Sequence, residues 1–346
     1  MLDLSANWNY PTNIRTGTGR VKELPDLCKQ MAIQSPLLIT DPGLAGLPMI
    51  KQVMDNLKAA GLGAGIFSAI KTNPSGENVE AGVSFYHTKR HDGVIAFGGG
   101  SALDAAKAVA LMVGQDRPLW DFEDIGDNWT RVNVNGMAPV IALPTTAGTG
   151  SEVTRNAVLA SSEHRVKVSM RSPLMLPRLA LVDPELTYGL PPEVTASTGL
   201  DALTQVMEPY VSARANPMVD SLCREGMKRA ARSLRRAYEN GQDKDAREDM
   251  SLVSLFGGLA LANAGLGAVH GFAGPLGGMF HAPHGAVCAS LLPWAIEVNV
   301  RVLKERAADS PSLKRYDEIG QILTGNSAAT ASDAVRWVQD LCQVLN

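Results

Sequence analysis

Short apolar runs and amphipathic stretches alternate through the first half of the chain. A strand that is covered on both faces carries apolar residues at consecutive positions, whereas a helix carries them every three or four residues. The runs that predict strands are residues 35–40, 65–67, 94–97 and 138–143. The stretches with helical spacing are residues 50–60, 77–89 and 101–113. This βαβ alternation predicts a doubly wound parallel sheet.

The second half has a different pattern, because strand-like runs fade and long helical patterns replace them. The helical patterns cover residues 193–211, 217–239, 245–264 and 333–345. The change falls near residues 188–191. We therefore predict an α/β domain over residues 1–188 and an all-α domain over residues 189–346.

Three glycines, Gly98, Gly99 and Gly100, follow the third predicted strand. Ser101 and Asp104 stand at the start of the next helix, where short polar residues are preferred. Such a turn suits a phosphate, because bare N–H groups and the helix dipole face the anion. The stretch matches neither the usual dinucleotide pattern nor a Walker loop, so a tight turn without a ligand stays open as the alternative.

Two other predicted strands also end in polar residues. Asp41 follows the strand at residues 35–40, and Thr145 and Thr146 follow the strand at residues 138–143. Ligands of doubly wound sheets bind beyond the carboxyl ends of the strands. We therefore expect Asp41 and the two threonines to face the same ligand as the glycine turn.

Composition narrows the class of protein. The 346 residues are 45% hydrophobic, which is ample for a sizeable core, and the net charge of -3 without a basic stripe argues against a nucleic-acid partner.

The four cysteines, Cys28, Cys223, Cys288 and Cys342, form no C-x-x-C pair. Their scatter argues against a disulfide framework or a thiolate zinc site. No leader and no uninterrupted apolar run of membrane-spanning length is visible, so we expect a cytoplasmic protein without a membrane partner.

Aspartate and histidine side chains form a second candidate site. Asp201 and Gln205 are four residues apart and project from one helix face. His270, His281 and His284 lie within fifteen residues, among glycines and apolar residues. Aspartate and imidazole bind divalent transition metals. Taken singly, however, each histidine is better explained as a buried structural side chain, because the spacing matches no metal-binding signature.

Motifs in the same order along nearly the whole chain resemble those of the iron-containing (group III) alcohol dehydrogenases. They are residues 98–101 with Asp104 and Lys107, and residues 144–152, 183–185, 199–202 and 277–285. The resemblance implies an N-terminal α/β cofactor domain and a C-terminal helical domain that holds a metal. It also implies a small alcohol or aldehyde as substrate, and a homodimer.

The resemblance assigns a nicotinamide dinucleotide to the N-terminal domain. The predicted cofactor-binding residues are Asp41, Asn73, Gly98, Gly99, Gly100, Ser101, Asp104, Thr145, Thr146 and Thr149. Asn73 belongs to a stretch that resembles the family's loop near the adenosine. Asp41 stands where the family often carries an acidic residue against the ribose hydroxyls, and its charge would repel a 2′-phosphate, which favours NAD over NADP. A simple turn residue is the alternative for Asp41.

The resemblance further implies a metal held by one aspartate and three histidines. Asp201, His270 and His284 match three of these positions, but the fourth falls on Gln205. The amide oxygen of Gln205 is neutral, as imidazole is, but it is a weaker donor to the later transition metals. Weak binding by Gln205, a water in its place and an empty site all stay open. We expect iron, with zinc as the alternative.

A second departure concerns the proton relay. A further family histidine, often credited with that role, falls on Gly274. His281 lies three residues before His284 and is our candidate replacement, with a surface histidine as the equal alternative. Lys167 matches a lysine that the family often places near the active site, although an ordinary exposed strand lysine explains it equally well.

These observations predict an NAD-dependent dehydrogenase that interconverts an alcohol and an aldehyde or ketone, with a divalent metal polarising the substrate oxygen. One alternative is a metal-independent reductase of the same fold, in which His281 or Lys167 donates the proton. A non-catalytic dinucleotide-binding protein is the other. Loss of two site histidines favours it, whereas retention of the other three ligand residues argues against it.

Overall fold

The computed structural model describes residues 12–161, 166–280 and 282–345, which form two compact units. The first, here called the sheet unit, contains residues 12–146 and 151–186 of the described chain. The second, the helical unit, contains residues 147–150 and the chain from residue 187 onward. The short excursion at residues 147–150 was not foreseen, because nothing in its local pattern distinguishes it from the loops around it.

A parallel sheet is the centre of the sheet unit. The strands are β1 (Asn13–Thr16), β2 (Pro36–Ile39), β3 (Gly65–Phe67), β4 (Gly93–Gly98), β5 (Val140–Pro144), β6 (Asn156–Ser161), β7 (Val166–Arg171) and β8 (Leu179–Val182). Six of them form a parallel sheet in the order β1-β8-β5-β4-β2-β3, and β6 pairs with β7 as an antiparallel hairpin. The predicted parallel sheet is confirmed.

Helices cover both faces of this sheet. They are α1 (Leu24–Gln30), α2 (Pro42–Ala45), α3 (Pro48–Ala59), α4 (Gly76–Thr88) and α5 (Gly100–Met112). Successive residues of β4 alternate between two cores: Val94 lies in one, and Ile95 and Phe97 lie in the other. A strand with two buried faces needs apolar residues at consecutive positions, which explains why these strands were visible as unbroken runs.

The order of strands creates a divergence between β2 and β4. These strands are neighbours, but the chain leaves β2 for β3 and leaves β4 for β5, in opposite directions across the sheet. Such a switch point opens a crevice at the carboxyl ends of the two strands, because the connecting segments part there. Asp41 follows β2 and the glycine turn follows β4, so both lie at this point.

The helical unit packs around one apolar core. Its helices are α6 (Pro192–Val211), α7 (Pro217–Glu239), α8 (Lys244–Ala264), α9 (Ala268–Phe280), α10 (His284–Arg306), α11 (Pro311–Thr324) and α12 (Ala331–Val344). The four predicted helices of this half are present within one or two residues of their predicted ends. The pattern missed α9, α10 and α11, since α9 contains four glycines and prolines interrupt both α9 and α10.

Among the residues that the structure describes, one helix has the length and mean hydropathy of a membrane span. It is α10, and 22% of its most apolar window is buried. Helices α8 and α9 pass the same test as a pair, but they are bent by 99° at their junction. Helices of water-soluble proteins also meet these criteria, so length and composition give only weak evidence for a membrane partner.

Candidate active site

The turn after β4 brings bare backbone to the switch point. Gly98 has φ of +149°, a conformation that favours glycine, and a Cβ at this position would lie 2.7 Å from the Cβ of Ala102. Gly99 is the N-cap residue of α5 and has no side chain to occupy the helix N-terminus. No side chain caps the first N–H groups of α5, which is an arrangement that binds phosphate.

The other two strand ends lie against this turn. The Thr145 N–H donates to the Gly98 carbonyl at 2.9 Å, and a Cβ on Gly99 would lie 3.3 Å from Thr146. Asp41 accepts a hydrogen bond from the Leu44 N–H at 3.0 Å through Oδ1, so it caps α2. Its Oδ2 lies 3.6 Å from the position of a Cβ on Gly98. The three strand ends therefore lie together, and their role toward one ligand stays a prediction. Asp41 is a turn residue whose second oxygen is directed toward the glycine turn.

Asp104 links the first turns of α5 to the segment after β5 through hydrogen bonds and an ion pair. Its Oδ1 accepts from the Ser151 hydroxyl at 2.5 Å, and its Oδ2 accepts from the Val158 N–H at 2.9 Å. The ammonium of Lys107 lies 3.1 Å from Asp104 and donates to the Ser151 carbonyl. Burial lowers the pKa of Lys107. These contacts tie α5 to the segment that follows β5, so the oxygens of Asp104 are engaged by this chain's own donors.

The remaining predicted cofactor and lysine positions are spread over several segments. Asn73 has φ of +57° and precedes α4, and Ser101 lies in the first turn of α5. Thr149 belongs to the residue 147–150 segment of the helical unit. Lys167 lies in β7 opposite Ala160.

A cluster of possible metal ligands is the central feature of the helical unit. Asp201 comes from α6, His270 from α9, and both His284 and Cys288 from α10. One donor atom from each of these four residues lies within 4.8 Å of every other. The His270 Nε2 is 3.1 Å from the Asp201 Oδ1, and the His284 Nε2 is 3.8 Å from the same oxygen. The structure thus brings together three of the four predicted ligands.

Two buried carboxylates hold His270 between them. Asp201 is 1% exposed, and Glu208, two helical turns later on α6, is 8% exposed. The Glu208 Oε2 is 2.7 Å from the His270 Nδ1, and the Glu208 Oε1 accepts from the Val269 N–H at 2.7 Å. Burial disfavours the charged imidazole, but the bonds to Asp201, Cys288 and Glu208 outweigh it and raise the pKa of His270 well above 6.5. The pair of carboxylates therefore favours a cation in this site.

Gln205 lies on the same face of α6, but its amide is directed toward a carbonyl. Its Nε2 donates to the Gly148 carbonyl at 2.5 Å, and the side chain is 2% exposed. A Cβ on Gly257 would lie 2.9 Å from the Gln205 Cβ, so α8 also packs closely here. The structure therefore shows a packing role for Gln205, whereas its predicted role as a ligand stays a prediction.

Sequence reasoning missed two members of this site. Glu208 is seven residues after Asp201, a spacing that places both on one face of α6. Cys288 is four residues after His284, so it follows that histidine by one turn of α10. The sequence analysis looked for C-x-x-C pairs and so missed Cys288, because a single thiol can lie beside imidazoles that come from other helices. The scatter of the cysteines argued against a thiolate zinc site, but the structure places the thiol of Cys288 within the cluster of possible metal ligands.

Two positions bear on the predicted proton relay. His281 lies outside the described residues. At Gly274, where the family carries its relay histidine, an added Cβ would meet nothing within 4 Å. The His284 side chain is 34% exposed, so the cluster is open to solvent on the side of His284.

Comparison with known proteins gives one consistent result. The family model "Iron-containing alcohol dehydrogenase" matches residues 11–184, and "Fe-containing alcohol dehydrogenase family, C-terminal" matches residues 195–346. Alcohol dehydrogenase 4 of Saccharomyces cerevisiae is 37% identical over 330 residues, which are 95% of this chain and 83% of the yeast protein.

Solved structures agree with the sequence comparison. A 1,3-propanediol oxidoreductase superposes with a TM-score of 0.91 at 31% identity, over 99% of this chain and 87% of the other. A sulfoacetaldehyde reductase from Bifidobacterium kashiwanohense, in complex with NAD⁺, superposes with a TM-score of 0.88 at 29% identity, over 99% and 88% of the two chains.

Proposed function

Because the chain belongs to the iron-containing alcohol dehydrogenase family, and is therefore an alcohol dehydrogenase, we propose that it uses NAD and a divalent metal to interconvert an alcohol and an aldehyde or ketone. The observation that carries this proposal is the cluster of Asp201, His270 and His284 beside the buried carboxylate of Glu208. Family membership supplies the reaction class, and the cluster supplies the reason to expect the metal.

The donor set fits a divalent transition metal. Two imidazole nitrogens and one carboxylate oxygen are the ligands that zinc and iron accept in proteins. When bound there, such a metal would supply Lewis acidity toward the oxygen of the substrate. Asp201 contributes the negative charge of these three residues, and Glu208 fixes the ring of His270 by accepting from the nitrogen that faces away from the cluster.

The sheet unit fits the pyrophosphate of a dinucleotide. Gly98 and Gly99 leave the N-terminus of α5 uncovered, at the switch point where doubly wound sheets bind such cofactors. The nicotinamide, when bound, would accept or donate the hydride. The structure of the sulfoacetaldehyde reductase contains NAD⁺, which supports the same cofactor for this chain.

Asp41 supports NAD over NADP. Its Oδ2 is directed toward the glycine turn, so a 2′-phosphate beside it would meet a like charge. In the variant Asp41→Asn the amide oxygen can still cap α2, because asparagine is also a good N-cap residue. We expect this variant to raise the ratio of kcat/KM for NADP to that for NAD about tenfold. An unchanged ratio would show that Asp41 acts only as a cap.

A direct test compares two histidines. The purified protein is loaded separately with Fe(II), Zn(II) and Mn(II), and NADH formation is measured with a panel of primary alcohols and diols. We expect turnover that is lost in His270→Ala and retained in His87→Ala, since His87 is exposed on α4.

Two results would contradict the proposal. Turnover that survives His270→Ala would favour the metal-independent reductase. NADH binding without turnover on any alcohol or aldehyde would favour the non-catalytic dinucleotide-binding protein. In either case the family assignment would stand, because it does not depend on the site.

A further inference from the structure

We propose that Cys288 is the fourth ligand of the metal site, and that this donor set makes the enzyme prefer zinc to iron. The inference builds on the metal site of the proposed function. It replaces a nitrogen ligand that the chain lacks at Gln205 with a sulfur ligand from another helix.

Distances between donor atoms support a four-coordinate site. The Cys288 Sγ is 3.7 Å from the His284 Nε2 and 3.9 Å from the His270 Nε2. The Asp201 Oδ1 is 3.1 Å from the His270 Nε2 and 3.8 Å from the His284 Nε2. Tetrahedral zinc with ordinary bond lengths places its donors about 3.3 to 3.6 Å apart. Each of these four distances is within a few tenths of an ångström of that range, and the other two of the six donor pairs lie within 4.8 Å.

The fold holds Cys288 in this position. Its side chain is buried, and it follows His284 by one turn of α10. The start of α10 approaches α6 so closely that a Cβ on Gly285 would lie 2.7 Å from the Ser197 carbonyl oxygen. Because Asp201 is also on α6, this close approach places the thiol beside the carboxylate without any rearrangement of the helices.

Gln205 is engaged elsewhere. Its amide nitrogen donates to the Gly148 carbonyl at 2.5 Å, and α8 packs against its Cβ at Gly257. Turning the amide around would place its oxygen against the Gly148 carbonyl oxygen and would leave a buried repulsion. The donor that is lost at position 205 is therefore compensated from position 288.

A thiolate changes the chemistry of the site. Asp201 and a Cys288 thiolate would together neutralise a divalent ion, whereas a neutral fourth ligand leaves one positive charge. The thiol proton is released to solvent when the metal binds. Sulfur is a soft donor that suits zinc and its spectroscopic substitute cobalt, whereas Fe(II) stands earlier in the affinity order. The substrate oxygen would be a fifth ligand, which zinc accommodates.

Cobalt gives a readout that does not depend on activity. A thiolate bound to Co(II) produces an intense near-ultraviolet charge-transfer band that oxygen and nitrogen ligands do not produce. We expect this band on loading the metal-free protein with one equivalent of Co(II), its loss in Cys288→Ser, and its retention in Cys223→Ser. Cys223 is an equally buried free cysteine in the core of the helical unit, so it is the matched control.

Metal competition tests the selectivity. With Fe(II) and Zn(II) supplied together under anaerobic conditions, we expect zinc to occupy the site of the wild-type protein. The affinity for Zn(II) is expected to fall more than about 100-fold in Cys288→Ser, because removing a direct ligand costs more than removing a residue that only orients one. Equal zinc affinity in the two proteins would overturn the inference.

A third measurement needs no variant of the site. The metal-free and the Zn(II)-loaded protein are alkylated over time, with the unfolded protein as the standard for complete reaction, and peptide mapping gives the rate for each thiol. Because Cys288 is buried with or without metal, the readout is the difference between the two rates. We expect Zn(II) to slow the alkylation of Cys288 and to leave the rate for the partly exposed Cys342 unchanged. Stoichiometric Co(II) without the band, or stoichiometric Zn(II) that leaves the alkylation rate of Cys288 unchanged, would overturn the sulfur ligand while the proposed function stands. Failure to bind any metal would overturn both.

Discussion

Glu208 provides the sharpest prediction about the metal site. Both of its carboxylate oxygens are used, one by the Val269 N–H and one by the His270 ring, each at 2.7 Å. Glutamine has a single acceptor oxygen, so in Glu208→Gln one of these two donors must face an amide NH₂ group. A buried donor without a partner costs about 1–3 kcal/mol.

The expected loss appears mainly in metal binding. Removing the partner that orients a ligand histidine typically weakens metal affinity about 10–100-fold, which corresponds to about 1.4–2.7 kcal/mol. The dissociation constant for Zn(II) is measured by competition with a chromophoric chelator in wild-type protein, in Glu208→Gln and in Glu297→Gln. Glu297 is a control on α10, where it accepts a long bond of 3.4 Å from the Gln339 side chain.

If Glu208→Gln binds zinc as tightly as Glu297→Gln and the wild-type protein, the carboxylate does not orient His270 for a metal. A lower unfolding temperature with unchanged zinc affinity would assign Glu208 to stability alone.

The remaining predictions concern the sheet unit. Gly98→Ala places a Cβ 2.7 Å from Ala102 and is expected to raise the NADH dissociation constant about tenfold or more, as measured by fluorescence titration. Gly61→Ala is the control for backbone strain, since Gly61 also has positive φ but open space around it, and NADH affinity should not change. Burial raises the pKa of Glu152 from 4.5 to about 7, so its contribution to stability is present below pH 4.5 and is lost as the pH rises through 7. Glu152→Gln should therefore flatten the fall in the free energy of unfolding between these pH values in urea titrations, and an unchanged slope would contradict the shifted pKa.

The sequence predicted the sheet unit well because its strands are buried on both faces. Consecutive apolar residues in β2, β4 and β5 predicted buried strands, and the glycines after β4 predicted the phosphate-binding turn. The edge strand β1 was not predicted, because its residues Asn13–Thr16 are partly exposed and contain no apolar run. Strand β8 was not predicted either, although its four residues are apolar, because it lies close to the change of pattern near residue 188.

The metal site was only partly predictable for a different reason. Asp201, His270 and His284 were found by resemblance, which assigns positions but not new partners. Cys288 has no local pattern that links it to a metal, and its role depends on how α9 and α10 fold back onto α6. These two helices were also the ones that the apolar spacing missed, since glycine and proline interrupt it.

The most direct test of the account is a titration of metal against turnover. The protein is stripped with a chelator, metal is added back in fractions of an equivalent, and both bound metal and NADH formation from an alcohol are measured. If the metal is required, the stripped protein has no turnover, and turnover rises linearly with added metal up to one metal per chain. Turnover in the stripped protein, or metal that binds at one per chain without restoring turnover, would contradict this requirement.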